Sequence, residues 1–177
     1  MFESHTEAIR NGKKVKPTEF GKLVKVQEAE NQFITDYLVC ARRVPDGTLW
    51  EASLERHQQL FGRPPCLATA DPAFASTANE AQATTRGVRR VALPRRGRLS
   101  AACRAHQQQR WFRRAMRWRT GCEGRISALK RRHGLSRCRY QGVQGMERWV
   151  GLGVIANNLL ALAPAAPPKK RTTDQRK

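Results

Sequence analysis

Residues 109–133 read QRWFRRAMRWRTGCEGRISALKRRH, and their spacing predicts a long helix that Gly134 ends. Trp111, Ala115, Trp118 and Cys122 recur at i, i+4, i+7 and i+11, so they share one face. We interpret that face as core, with a base-stacking platform as the alternative. A break at Gly121 is compatible with this pattern.

One carboxylate stands alone in this basic region. Glu123 is the only acidic residue between Ala81 and Met146, a stretch that contains 18 lysines and arginines. Such a stretch suits a polyanion, and a negative charge inside it weakens phosphate binding unless it has a function. A divalent metal would give it one, because a metal-bound carboxylate attracts phosphate. The simpler interpretation is a surface ion pair with Arg119 or Lys130.

The whole chain is strongly basic. Its 177 residues suit one domain, and a formal charge of +20 with a pI near 11.2 indicates a nucleic-acid partner. Five scattered cysteines without a C-x-x-C pair argue against disulfides and a zinc site, and favour free thiols in a reducing cytoplasm. The N-terminus lacks the apolar core of a signal peptide, and no membrane contact is expected.

The first half of the chain predicts alternating strands and helices. Residues 20–27 and 33–40 are rich in β-branched and aromatic residues, and a short polar link joins them into an antiparallel hairpin. Capping-box spacing at Thr48–Glu51 and Thr77–Glu80 predicts helices over 48–61 and from 77 towards 86. Residues 66–70 (CLATA) and 88–93 (VRRVAL) complete a β-β-α-β-α-β order, which indicates a largely parallel sheet with the hairpin on one side.

The second half predicts helices and a tail. Ser100 is a candidate cap for a long helix. Residues 144–162 form another predicted helix, with Trp149, Leu152, Ala156 and Leu159 facing inward. We expect one domain over residues 1–162 and a disordered basic tail over 163–177.

A second acid lies where open α/β sheets place reactive groups. Asp71 directly follows the CLATA strand, and ligands bind at the carboxyl ends of such strands. A two-metal site needs carboxylates from separate elements, which hold two Mg²⁺ ions about 3.5–4 Å apart. The alternative for Asp71 is a helix cap or turn acid before Pro72.

Five segments carry a resemblance to a known family. The chain resembles the C-terminal two-thirds of bacterial insertion-sequence transposases with an RNase H-like DDE catalytic domain. The segments are HTEAIRNGKKVKPTEFGKLVKVQEAE (5–30), LERHQQLFGRPP (54–65), GVRRVALPRRGRLS (87–100), QRWFRRAMRWRTGCEGRISALKRRHGLSRCRYQG (109–142) and ERWVGLGVIANNL (147–159).

The resemblance implies a fold, a site and a chemistry. The fold would be an incomplete RNase H-like α/β fold, with the hairpin, then alternating helices and strands, then C-terminal helices. Asp71 and Glu123 would be the second and third catalytic acids and ligands of two Mg²⁺ ions, acting in phosphodiester hydrolysis and strand transfer at transposon ends and target DNA. DNA phosphates would contact Arg95, Arg96, Arg98, Arg113, Arg114, Arg117, Arg119, Arg125, Lys130, Arg131, Arg137 and Arg139.

Two departures from the family pattern bear on activity. The family has an Asp-Arg-Gly-Phe-like run at its second acid, whereas this chain has Asp71-Pro72-Ala73-Phe74. The first acid lies on the first, central strand, and no residue of this chain can be assigned to it; Asp36 in the hairpin is a poor substitute. We therefore expect a truncated copy that is inactive alone and leaves unpaired sheet edges.

Two other functions fit the same sequence. One is a non-catalytic nucleic-acid-binding protein that uses the basic stretch as a phosphate track. The other is an inhibitory partner that joins a full-length transposase, or a homo-oligomer, through the hairpin and an open sheet edge.

Overall fold

The computed structural model describes residues 7–10, 18–40, 42 and 44–163. The described residues form a mixed α/β fold of small sheets and five helices. In chain order the elements are β1 (Glu7–Arg10), β2 (Thr18–Gly21), β3 (Val24–Glu28), β4 (Ile34–Val39), α1 (Leu49–Phe61), β5 (Leu67–Thr69), α2 (Thr77–Thr85), β6 (Arg90–Ala92), α3 (Ala101–Gln108), α4 (Arg110–Arg132) and α5 (Gly142–Leu162). The predicted tail lies outside the described residues, apart from its first residue.

The predicted hairpin is confirmed as β3 and β4. These strands pair antiparallel from Val24 opposite Val39 to Glu28 opposite Ile34, with a shift of register between Gln27 and Glu28. The first strand begins later than predicted, because Phe20 belongs to β2, which pairs antiparallel with β1. The hairpin therefore starts at Val24 rather than at Phe20.

Helices α1 and α2 form where the capping-box patterns predicted helices, but neither box is made. Thr48 precedes α1, and its hydroxyl donates to the carbonyl of Pro45 (2.7 Å). The cap of α2 is Ser76, whose Oγ accepts from the backbone nitrogen of Asn79 (3.0 Å). Glu80, predicted to complete the second box, pairs instead with Arg95 (2.8 Å).

The single sheet predicted from the alternation of strands and helices does not form among the described strands. They make three separate two-stranded sheets, β1–β2, β3–β4 and β5–β6. Only β5 and β6 are parallel, with Leu67 opposite Arg90 and Thr69 opposite Ala92. The hairpin and the parallel pair therefore each end in an edge that no described strand covers.

Helix α4 joins the two halves of the fold. Near its start Phe112 and Ala115 are buried against Ala92 of β6. Near its end Leu129 packs in a second cluster with Ile34 of β4 and with α5. One rigid helix thus contacts both the parallel pair and the hairpin.

The predicted break and the predicted core face of α4 both need correction. The chain breaks at Gln109, which has extended backbone angles between α3 and α4, whereas α4 runs through Gly121 without interruption. Ser100 caps the shorter helix α3, as its Oγ accepts from Cys103 nitrogen (3.2 Å). Of the predicted face, Ala115 is buried, Trp111 and Cys122 are partly buried, and Trp118 is 38% exposed, whereas Phe112, which lies outside that face, is buried.

The predicted inward face of α5 is wrong at Leu152 and Leu159, whereas Trp149 and Ala156 are partly buried. Leu152 and Leu159 are 51% and 61% exposed, whereas Val150 and Val154 are buried. The helix turns a glycine-containing side to its neighbours: Gly153 lies against the side chain of Leu135, where a larger residue would clash. Tight packing through glycine therefore decides which face is buried.

An asparagine of α5 forms two hydrogen bonds with the hairpin. Asn158 accepts from the backbone nitrogen of Ile34 (3.0 Å) and donates to the carbonyl of the same residue (2.8 Å). The side-chain amide thereby satisfies both backbone groups of a residue at the start of β4.

Among the described residues, no helix combines the length and the apolar character needed to cross a membrane.

Candidate active site

Asp71 lies at the carboxyl end of the parallel pair. It follows β5 by two residues and precedes a short 3₁₀ turn, Pro72–Phe74. Its backbone occupies the cap position of that turn, as the simpler interpretation expected, but its side chain makes no capping hydrogen bond. The carboxylate is 59% exposed and is therefore available for another contact.

Glu123 lies in the middle of α4 and is 58% exposed. Its carboxylate accepts from Nη1 of Arg119, one helical turn earlier, at 2.9 Å. The simpler interpretation of Glu123 as a member of an i,i+4 ion pair is therefore realised in this structure. An exposed pair of this kind contributes about 0.3–0.5 kcal/mol to stability, so it does not by itself explain the position.

The same nitrogen of Arg119 joins the two acids. Nη1 donates to Oδ1 of Asp71 as well as to Oε1 of Glu123. Two oxygens bonded to one donor atom lie within about 6 Å of each other. The structure therefore brings together two carboxylates that are far apart in the chain and arrive from separate elements.

These carboxylates supply part of a metal site. Carboxylate oxygen is the donor that Mg²⁺ prefers, and both groups face solvent. A guanidinium, however, already stands between them, and the described residues contain no group of three or more acidic, histidine or cysteine side chains placed to hold a metal. The donors have the right chemistry, but two carboxylates are too few for a two-ion centre.

Arg119 is itself incompletely satisfied. Its side chain is only 20% exposed, and its Nε is buried without a hydrogen-bond partner among the residues that the structure describes. A buried donor left unpaired costs about 1–3 kcal/mol. The position of this side chain is therefore maintained by its two carboxylate partners rather than by a complete set of contacts.

A third acid close to α4 has a structural partner. Glu28, whose side chain is 5% exposed, receives Nε and Nη2 of Arg125 at 3.0 and 3.2 Å. Arg125 also donates to Gln32 (2.7 Å). This two-pronged pair ties the end of β3 to α4, which the sequence did not predict because the partners lie on distant segments.

The same neighbourhood suppresses ionisation of a thiol. Burial raises the pKa of Cys122 to about 12, and the negative charge and hydrogen bond of Glu28 add to this effect. A thiolate is the reactive form of cysteine, so Cys122 is a packed residue rather than a nucleophile. All five cysteines are free, as the sequence predicted.

Asp36, considered as a substitute for the first acid, is engaged elsewhere. It accepts from Lys25 (3.0 Å) and from Arg56 (3.3 Å), and its side chain is 16% exposed. Lys25 also donates a hydrogen bond to the hydroxyl of Ser53 in α1 (3.2 Å). This network fastens the hairpin to α1.

The predicted DNA-contacting side chains fall into two groups. Arg95, Arg119 and Arg125 have carboxylate partners and would have to leave them to contact phosphate. The other nine are exposed and form no ion pair with a described residue; they are Arg96, Arg98, Arg113, Arg114, Arg117, Lys130, Arg131, Arg137 and Arg139. The basic surface is therefore largely free of compensating acids.

Sequence reasoning missed a cavity at the start of α4. It has a volume of about 700 Å³ and is lined by Arg90, Arg110, Trp111, Arg113, Arg114 and Arg117. The signal is present in the sequence as RWFRR, but the sequence places Trp111 on a face interpreted as core, with a base-stacking platform as the alternative, and Arg90 in a strand. Only the packing of β6 against α4 brings Arg90 to the tryptophan.

Comparison with known proteins agrees with this architecture. Residues 75–163, just over half of the chain, match the family model described as "Transposase DDE domain". The chain belongs to this family of DNA-transposition proteins. The match includes Glu123 and helices α2 to α5, and it begins after Asp71. Neither the curated proteins nor the solved structures contain a significant match.

Proposed function

We propose that this chain is an RNase H-like DDE domain of a bacterial insertion-sequence transposase, in which Asp71 and Glu123 are two of three carboxylates of a magnesium site. The family uses DNA as its partner and divalent metal as its cofactor in general. When bound, magnesium would activate the attacking oxygen and stabilise the leaving oxygen in phosphodiester cleavage.

The observation that carries the proposal is the shared contact of the two acids. A surface helix acid has no need to meet a residue at the carboxyl end of a parallel strand, yet both accept from one nitrogen of Arg119. The carboxyl end of a strand and a following helix are the elements from which such sites are built. Arg119 then holds the acids close together and neutralises part of their charge.

The arrangement of the sheets supports a role for one additional strand. Arg119 contacts Asp71 beyond β5, and Arg125 contacts Glu28 at the end of β3. Six residues separate the two arginines, which corresponds to about 9 Å along a helix. Two strand spacings amount to about 9.6 Å, so we infer room for one strand between β3 and β5.

One polar atom on β3 also lacks a partner. Among the described residues, the amide oxygen of Gln27 is buried and accepts no hydrogen bond. Buried polar groups are nearly always paired in complete folds. We infer that a strand from outside the described residues lies between β3 and β5 and brings the third carboxylate.

The consequence is that this chain does not cleave DNA by itself. Two carboxylates neutralised by a guanidinium hold magnesium weakly, since that ion demands nearly ideal octahedral geometry. What the chain contributes is the pair of acids and the exposed basic surface. Cleavage requires the missing acid to be added.

Iron-directed cleavage tests this proposal without requiring catalysis. Fe²⁺ in the magnesium position, with ascorbate and peroxide, generates radicals that cut the polypeptide near the ion. We expect cuts near residues 71 and 123 in the wild type, competed by excess Mg²⁺, and their loss in both Asp71→Asn and Glu123→Gln. Uniform cutting, or cuts that survive both substitutions, would contradict a shared site.

A nicking assay on supercoiled plasmid tests the inactivity. We expect no Mg²⁺- or Mn²⁺-dependent nicking by the wild type above that of Glu123→Gln. Metal-dependent nicking that Glu123→Gln removes would show that the chain has a complete active site, which our account excludes.

The open edges of β3 and β5 favour a second candidate function. An exposed strand edge accepts a further strand through main-chain hydrogen bonds. The chain would then bind a full-length transposase, or a second copy, and interfere with its activity. Inhibition of an active family member by added chain, with unchanged inhibition by Glu123→Gln, would favour this candidate.

A further inference from the structure

The cavity at the start of α4 has an unusual composition. The described residues that line it are five arginines and one tryptophan, and none of these is acidic. All five arginines are exposed, and none forms an ion pair with a described residue. Five like charges around one cavity repel one another, so the site is stabilised by an anionic ligand.

Trp111 has a fixed orientation in the wall of this cavity. Its ring meets His106 and Phe112 edge-on, with centroids 5.4 and 5.5 Å apart. The guanidinium of Arg90 lies over one face of the ring, 5.5 Å from its centre. The indole is half-buried and held by these neighbours, so it is pre-organised for contact with a flat ligand.

The cavity lies away from the Asp71–Glu123 pair. Arg113 and Arg117 are one helical turn apart, and Arg119 follows Arg117 by two residues. Two residues correspond to about 200° around a helix. The cavity arginines therefore project on a different side of α4 from the arginine that joins the acids.

We propose that this cavity binds an unpaired DNA strand, with phosphates on the arginines and a base stacked at Trp111. A cationic groove with an aromatic platform is how proteins bind single strands. In duplex DNA the bases are stacked inside, so a tryptophan in a cavity wall gains no base contact. A single inorganic phosphate would use two or three of the guanidiniums and leave the indole without a role.

The choice of DNA as the ligand rests on the proposed function. This cavity adds to that function a second place on α4 where DNA binds. Helix α4 would hold cleavable DNA at the acid pair and an unpaired strand on another side. An unpaired DNA strand carries both the phosphates and the accessible bases that the arginines and the indole would contact. Binding of phosphates by the arginines of this cavity, hereafter the groove, requires no metal. The groove and the acid pair can therefore be tested separately.

Fluorescence anisotropy in EDTA tests the groove with the full chain. The probes are a fluorescein-labelled 12-nucleotide dT strand and a 12-base-pair duplex at the same salt concentration. We expect Arg113→Gln/Arg117→Gln to weaken binding of the single strand about tenfold or more, and that of the duplex about threefold. The control, Arg104→Gln/Arg132→Gln, removes equal charge from exposed sites outside the cavity and should weaken both probes equally, by about threefold.

Trp111→Phe provides a second measurement. It keeps an aromatic ring, and we expect it to reduce tryptophan quenching by dT and to lower the preference for the single strand by about fivefold. Equal losses for both probes in the groove and control variants would overturn the proposal. So would complete displacement of dT by millimolar inorganic phosphate, which would show a phosphate site only. If the wild type binds dT but shows no Fe²⁺-directed cutting near residues 71 and 123, the result contradicts the proposed metal site and leaves the proposed groove supported.

Discussion

Asp71 and Glu123 accept hydrogen bonds from the same nitrogen of Arg119, although one follows strand β5 and the other lies midway along α4. This contact converts two exposed acids into one site. It also places a positive charge between the two carboxylates that we propose as metal ligands. On that proposal, the guanidinium and a metal ion compete for the same oxygens.

Replacing Arg119 by glutamine should strengthen metal binding. Loss of the guanidinium leaves two uncompensated carboxylates about 6 Å apart, and neighbouring like charges favour a divalent cation. We expect Mn²⁺ affinity, measured by EPR of free Mn²⁺, to rise about tenfold. As a control, Arg114→Gln removes the same charge from an exposed part of α4 and should have little effect. Unchanged or weaker Mn²⁺ binding in Arg119→Gln would show that the arginine does not compete.

The two leucines Leu129 and Leu159 should differ sharply in their effect on stability. Leu129 is 2% exposed in the cluster shared by the hairpin and α5, whereas Leu159 is 61% exposed. Leu129→Ala should lower the free energy of unfolding by about 2–5 kcal/mol, and Leu159→Ala by no more than about 0.5 kcal/mol. Urea denaturation measures both. Equal losses would mean that α5 buries the face predicted from its sequence.

Two glycines in helices should respond in opposite directions to alanine. Outside the local helix backbone, no atom of the described residues lies within 4 Å of the position of a Cβ on Gly124, so alanine there should stabilise the chain by about 0.5–1 kcal/mol. At Gly145 a Cβ would lie 2.9 Å from the Cβ of Tyr140 and 3.2 Å from its backbone carbon. Gly145→Ala should therefore destabilise the chain by about 1–3 kcal/mol. Thermal unfolding compares the two, and a stabilising Gly145→Ala would contradict the packing of α5.

Cys122 should resist alkylation in the folded protein. Because burial and Glu28 raise its pKa to about 12, on the order of one thiol in ten thousand is ionised at pH 8. We expect iodoacetamide to label exposed Cys66 rapidly and Cys122 only at strongly alkaline pH, as followed by peptide mass spectrometry. In 6 M guanidinium chloride both should label alike. Fast labelling of Cys122 at pH 8 in the folded chain would contradict its burial.

Local elements were the part of this fold that the sequence predicted well. The hairpin, α1, α2 and the β5 and β6 strands follow from periodicity and turn residues, which act over a few positions. The buried face of α5 does not follow from periodicity. Gly145 and Gly153 permit neighbouring residues to approach the helix closely, and this packing outweighs the more apolar leucine face. The break at Gln109 has no glycine or proline to mark it, whereas Gly121 is accommodated in a helix held at both ends by packing.

The candidate site also combines features that the sequence predicts with contacts that it does not. A lone acid in a basic stretch and an acid after a strand were visible as residue types, but their meeting at Arg119 depends on how α4 crosses the parallel pair. The Glu28–Arg125 pair was invisible for the same reason, since its partners belong to the hairpin and to α4. Long-range contacts of this kind are set by packing and not by local pattern.

The most direct measurement of the central claim is Mn²⁺ binding to the wild type, Asp71→Asn, Glu123→Gln and the double variant, at fixed salt and with circular dichroism to verify folding. If one ion bridges both acids, the wild type binds weakly but measurably, and each single substitution lowers the affinity nearly as much as both together. Independent, additive losses, or no difference between the wild type and the double variant, would contradict a metal site shared by these two residues.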